Sequence, residues 1–212
     1  MALIAGCPRC REPLEHPGPA ACAGHGAGPL LWRPEEPSYD EFALHLRAAR
    51  DFPTYLPWPM GPGWAVSDFA VVTEPDGVPV ATLSCVSGTS ELDGPVDALL
   101  VVEERGVGLG ARCARLPADV ADRELRRQPP AVRVRIGRMA RPLWTVSTST
   151  DPTTPELDRT VLAGEAAGRW LWVVLRPASA VLLMRDDWIL RDVSGAGPQV
   201  LAMPFAGPRP GW

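Results

Sequence analysis

The chain has 212 residues, 46% of them hydrophobic and 22% charged, a balance that belongs to globular proteins and excludes disorder throughout. Its formal charge of −4 and pI near 5.4 exclude a general attraction to nucleic acid or to anionic membrane surfaces. All 21 cationic side chains are arginine, and with 25 Pro and 20 Gly this reads as a GC-rich coding sequence before it reads as function.

The opening "MALIAGC" imitates the box at which lipoproteins are cut, with Leu3, Ala5, Gly6 and Cys7 in order. Only six uncharged residues precede Cys7, however, whereas a secretory signal needs a cationic start and an apolar run of about 7–15 residues. The most apolar stretch, "WLWVVLRPASAVLLM", is interrupted by Arg176 and Pro177 and falls short of the roughly 20 residues of a membrane span. A cytoplasmic protein without membrane association is expected. Reduced thiols in such a compartment point to metal ligation, reactivity or burial instead of disulfides.

Residues 7–25, "CPRCREPLEHPGPAACAGH", carry two knuckle spacings, Cys7 with Cys10 and Cys22 with His25. Two such knuckles complete a tetrahedron around a divalent ion, with bonds of about 2.0–2.3 Å. Eleven residues separate the pairs, fewer than the roughly 15–20 of a four-cysteine ribbon but enough for a hairpin turned at Pro17, Gly18 and Pro19. The segment holds few large apolar side chains, chiefly Met1, Leu3, Ile4 and Leu14, so it has no core of its own and a metal supplies what is missing. Four protein ligands leave no position for substrate, so the expected cofactor is a structural Zn2+. His16 is the alternative fourth ligand. A redox Cys-x-x-Cys pair is the competing chemistry, but such a pair belongs beside a strand–helix unit, and Pro-rich loop follows here.

"GAGPLLWRPEEP", 26–37, reads as a linker whose Leu30, Leu31 and Trp32 dock on a neighbour. Ser38 with Glu41 three residues later forms a capping box, and Phe42, Leu44, Leu46 and Ala49 give an apolar side to a helix ending at Arg50. Pro53, Pro57, Pro59 and Pro62 forbid helix beyond it, so the stretch to Trp64 runs extended with Trp58 and Trp64 packed on a sheet; a peptide-binding aromatic platform is the sharper alternative. Strands follow over 64–72, 80–86 and 97–103, separated by "EPDG" and "ELDG" turns. A short helix is expected at "GLGARCARL". In "AVRVRIG" alternation puts Val132, Val134 and Ile136 on one face and Arg133 and Arg135 on the other, and another strand covers 143–148. "STSTDPTTPELD" is a polar loop. The last third reads as three or four sequential strands broken at Gly168, Pro177 and Asp186. The fold class expected is α+β, a predominantly antiparallel sheet with one or two helices, preceded by a small zinc-ribbon-like segment. The corresponding organisation is 1–30 knuckles, 31–62 linker and capping helix, 63–205 α+β domain and 206–212 tail.

Two further features bear on function. After the strand ending near Glu104, Arg105, Gly106, Gly108 and Gly110 form a glycine loop opening a helix, and Arg105, Gly108 and Gly110 fit R-x-x-G-x-G. That loop resembles the pyrophosphate loop of the large acetyltransferase superfamily, in which backbone amides at a helix start attract an anion. The resemblance implies coenzyme A or a nucleotide as cofactor and acyl- or phosphoryl-group transfer as activity. The order of helix and three strands before the loop agrees with it, whereas Pro117 and the continued strand after Val132 depart from it. The second feature is charge: residues 105–141 carry +7 and the rest of the chain −11. This suits a phosphate, a nucleic acid or an acidic protein, although with only Trp144 nearby a stacking platform for single strands is not favoured. Cys113 would need His45 as partner to be a nucleophile, and burial is the simpler role for Cys113 and Cys85.

Together "CPRC", "CAGHG", "PWPMGPGW", "ERGVGLGAR", "GEAAGRWLW" and "LRDVSGAG" resemble an uncharacterised family of high-GC bacterial proteins, with zinc-ribbon-like knuckles before a Trp-rich α+β domain. The resemblance implies no established activity. The expectation is a non-catalytic, zinc-stabilised binding or accessory protein with a protein partner.

Overall fold

The computed structural model describes residues 3–10, 14, 21–117, 128–150, 153–154, 158–186, 188–197 and 202–212. His16, the Pro17–Pro19 turn and residues 151–152 and 155–157 of the "STSTDPTTPELD" stretch lie outside these. The elements are β1 (Leu3–Gly6), β2 (Ala21–Cys22), β3 (Gly26–Ala27), β4 (Leu30–Pro34), α1 (Tyr39–Ala49), β5 (Tyr55–Pro57), β6 (Ala65–Thr73), β7 (Pro79–Ser90), β8 (Gly94–Glu103), α2 (Leu109–Ala114), β9 (Val132–Ile136), β10 (Met139–Ser149), β11 (Arg159–Ala166), β12 (Arg169–Arg176), a 3₁₀ helix (Ala178–Asp186) and β13 (Ile189–Asp192).

Eleven of the strands make one sheet in the order β1-β4-β6-β7-β8-β12-β11-β10-β9-β13-β5, and β2 with β3 make a separate two-stranded ladder. Neighbours are antiparallel except β13 on β9. This is the mostly antiparallel α+β class that the alternating patterns and short turns predict. The sheet curls: Thr82 Oγ1 donates to the Pro53 carbonyl and Ser84 Oγ to that of Tyr55, bringing the last strand in sheet order over the middle of β7.

Both faces of the central strands are covered, which is why β6, "AVSDFAVVT", is buried at every position. On one face Phe42 of α1 packs edge-on against Phe69 at 4.9 Å, above Val86, Leu100, Leu162 and Val173. On the other, Leu109 and Ala111 of α2 cover Val72, Leu83, Leu99 and Val174. A bulge at Ser67 sets this division. Val66 pairs with Val86 and Asp68 with Cys85, so Val66 joins Phe69 on the first face, where strict alternation would have grouped it with Asp68.

Helix α1 starts where the capping box places it, with Glu41 N donating to Ser38 Oγ at 3.3 Å. Trp64 lies flat against the sheet over Gly88, where a Cβ would come within 2.5 Å of the indole. An open apolar cavity of about 200 Å³ lies beside it, bounded among others by Met60, Leu183 and Trp188. In β9, Val134 is fully buried while Arg133 and Arg135 are exposed, as the alternation requires.

Two segments differ from expectation. The supposed linker contains β4, paired with both β1 and β6, because Leu31, Trp32 and Arg33 find ladder partners that no local pattern announces. "AVLLM" is a 3₁₀ helix instead of a strand. Pro177 has no N–H to continue the β12 ladder, while Ala178 N donates to Asp158 Oδ1 at 2.9 Å and Ala180 N to the Pro177 carbonyl at 3.0 Å, which turns the chain. Short apolar runs do not separate helix from strand. Among the described residues no helix is long and apolar enough to cross a membrane.

Candidate metal centre

Strand β1 ends at Gly6 and delivers Cys7 to a bend through Cys10; β2 ends on Cys22, and a turn returns through His25 to β3. Each bend is closed by its own backbone. Arg9 N donates to Cys7 Sγ at 3.4 Å, and His25 N to the Cys22 carbonyl at 3.2 Å. Gly26, at φ +70°, makes the left-handed step that lets β3 fold back on β2.

The turns bring Cys7, Cys10, Cys22 and His25 together, with three Sγ atoms and Nδ1 all within 4.8 Å of one another. Cys10 and Cys22 Sγ are 3.4 Å apart, and Nδ1 of His25 is 3.5 Å from Cys22 Sγ and 3.7 Å from Cys7 Sγ. A tetrahedron with metal–sulfur bonds of about 2.3 Å has edges of about 3.8 Å, so the donors already stand near the corners such an ion requires. Cys7 and Cys22 are buried, Cys10 is half-buried and His25 is exposed. The hydrogen bond from His25, followed by that from Cys10, lowers the Cys22 thiol to about 6, which favours the thiolate that ligates metal. Three soft sulfurs and one imidazole, with all four positions held by protein, fit a soft four-coordinate divalent ion and leave it no open site.

The centre is attached to the main sheet. Arg9 reaches from the first knuckle to the carbonyls of Val107 at 3.2 Å and Gly106 at 2.9 Å. Arg112 of α2 donates to the Cys7 carbonyl. No sequence pattern singles out either arginine, although Arg9 stands between two candidate ligands.

The glycine loop is assembled, and it is filled by its own chain. Glu103, 3% exposed, accepts the Leu109 amide at 2.7 Å, and the amides of Gly108 and Gly110 also favour its charged form; burial nevertheless raises its carboxyl above the usual range. The amides that the acetyltransferase resemblance assigns to a pyrophosphate thus face an internal carboxylate, and Arg9 covers the loop carbonyls. Arg105 lies over the Trp170 ring at 5.1 Å. Gly106 and Gly108 sit at φ +89°, while Gly110 packs under Trp172, where a Cβ would fall 2.3 Å from the indole. Trp172 is only 2% exposed and has no room to retreat. The Gly110→Ala variant is therefore expected to lose about 1–3 kcal/mol by overpacking, measured by urea unfolding; an unchanged midpoint would refute this packing role.

Cys113 and His45 form no dyad. Cys113 of α2 is buried in the core on one face of the sheet and His45 on the other, stacked on Phe42 at 5.4 Å. Burial pushes the Cys113 thiol up to about 12 and raises that of Cys85 as well, the opposite of what a nucleophile needs. Among the described arginines of 105–141, Arg105 and Arg112 lie over the Trp170 and Trp212 rings and Arg133 and Arg135 are exposed on β9; 118–127 lie outside the described residues.

A model of the family described as "Family of unknown function (DUF6758)" matches residues 1–210. No curated protein and no solved structure matches the chain.

Proposed function

The chain belongs to this family of unknown function, DUF6758, and from that premise we propose that it is a non-catalytic binding or accessory protein, stabilised by structural zinc and working through a protein partner. The observation that carries the reading is the closure of Cys7, Cys10, Cys22 and His25 into one cluster within 4.8 Å. Sulfur-rich tetrahedral sites select zinc over harder ions. When bound, the ion supplies a crosslink and no vacant position for substrate. The chain's own residues hold it: two thiols buried against the sheet, a third at the rim, and an imidazole facing solvent. A reducing cytoplasm suits thiols kept free for metal, and the all-arginine composition supports a high-GC bacterial source.

The second reading is acyl- or phosphoryl-group transfer with coenzyme A or a nucleotide at Arg105, Gly106, Gly108 and Gly110. Occupation of the loop amides by Glu103 argues against it. Two measurements decide. Metal analysis of purified protein should return about one zinc per chain, the stoichiometry of a four-ligand structural site, and Cys10→Ser should lose it; retention of zinc by that variant would overturn the ligand set. A ligand at 100 times its dissociation constant stabilises by about 2.7 kcal/mol, so a thermal shift with coenzyme A or ATP would favour transfer, and none is expected.

A further inference from the structure

Phe205 bridges to Val66 of β6, and Ala206 N donates to the Val66 carbonyl at 3.3 Å; beyond that bridge residues 207–212 join no strand, and side chains hold them down. Arg209 donates to the Glu35 carbonyl. Arg33 Nη2 donates to the Pro210 carbonyl at 3.4 Å and Arg176 Nη2 to that of Gly211 at 2.9 Å. Trp212, 2% exposed, is the anchor. The guanidinium groups of Arg33 and Arg112 both lie over its ring, 4.2 and 4.8 Å from the ring centre, and its Nε1 donates to the buried Asp68 at 2.8 Å. Asp68 also accepts from Arg33.

One jaw of this clamp rests on the metal knuckle, and the other stands on the strand paired with the one that leads into it. Arg112 uses the same guanidinium to stack on Trp212 and to bond the carbonyl of Cys7, a ligand. Arg33 stands on β4 directly opposite Ile4 of β1, the strand that delivers Cys7. An ion that draws Cys7 toward Cys10, Cys22 and His25 therefore also sets the carbonyl on which Arg112 is seated. Loss of the ion frees that carbonyl and leaves one slab of the indole clamp without its support.

We propose that the metal centre is the latch of a Trp212 strap: metal binding holds residues 209–212 down, and the docked strap in turn raises affinity for the metal. The inference rests on the metal-centre reading. Coupling between two sites is reciprocal and commonly amounts to about 5–150-fold in affinity, so each direction gives an independent readout.

The test uses the full chain, loaded with zinc or stripped with a chelator, and follows amide hydrogen exchange while metal content is measured in parallel. Zinc removal is expected to speed exchange in 207–212 by roughly tenfold or more, with β7 and β8 unchanged. Trp212→Ala is expected to bind about one zinc at least fivefold more weakly in competition with a chelating indicator. Arg112→Gln should still bind zinc but make exchange of the strap independent of it. Trp212→Phe, which keeps the stacked ring and gives up the bond to Asp68, should fall between wild type and Trp212→Ala and serves if the alanine variant does not fold. Strap exchange that ignores zinc in a protein carrying it would overturn the latch and leave the metal centre standing. A wild-type chain that takes up no zinc would overturn both.

Discussion

Stripping the metal, or replacing Cys10 by Ser, is expected to unfold the second knuckle while the sheet from β6 to β12 stays formed. That knuckle has almost nothing else to hold it: β2 and β3 share two residue pairs, and residues 23–27 are exposed. In isolated zinc-finger peptides the ion contributes roughly 10–16 kcal/mol, nearly all of it as folding energy. The same dependence should apply to residues 21–27, whose amide protection is expected to fall toward that of an unstructured peptide. The sheet has its own support in two apolar cores and covered central strands, so its protection should persist. Exchange measurements on loaded and chelated protein, with circular dichroism to follow the sheet, check this. Full protection of 21–27 without metal would show that the second knuckle folds unaided.

The second large effect is expected in acid and comes from His45. Its ring is wholly buried between Phe42 and Phe69, with Nε2 3.1 Å from Thr54 Oγ1 and Nδ1 without a hydrogen-bond partner among the described residues. Desolvation lowers it from 6.5 to about 3, so the folded protein keeps it neutral while the unfolded chain protonates near its ordinary value. Its contribution is therefore full above pH 6.5 and is lost progressively as pH falls toward 3. At about 1.4 kcal/mol for each pH unit the loss approaches 4–5 kcal/mol at the acid end. Carboxylates titrate in the same region, so the diagnostic quantity is the difference from His45→Phe. That variant keeps the stack on Phe42 and leaves Thr54 unpaired, at a cost of about 1–3 kcal/mol, but it carries no proton. Urea unfolding at intervals between pH 7 and 4 should show wild type losing its advantage over the variant as pH drops. Parallel slopes would mean that His45 is not the acid-sensitive group.

How much could be read beforehand depends on how far apart the interacting residues lie in the chain. The four candidate ligands were legible because each knuckle closes over three residues, and ligand chemistry limits the side chains that serve. Ser38 and Glu41 marked the start of α1 for the same reason, since a cap is local. Valine-rich strands declared themselves by β-branched runs between Gly and Pro turns, and Val134 between Arg133 and Arg135 by alternation. Reading stopped where pairing is distant. Leu31 in β4 has no local mark of its partnership with Val72 of β6. The Ser67 bulge reverses which of two neighbouring residues faces which core, and composition does not reveal it. The glycines at 108 and 110 fit two explanations until Glu103 is seen on the amides and Trp172 against Gly110.

The chain by itself determined the candidate ligand set, the antiparallel α+β character and the helix cap, because each follows from side-chain type and short-range spacing. Only the tertiary structure decided that the first knuckle is riveted by Arg9 to the loop before α2 and by Arg112 to α2 itself, and that Trp212 meets Asp68 across 144 residues. Such contacts depend on sheet order and on which face a strand presents, and one extra residue in a strand is enough to change both.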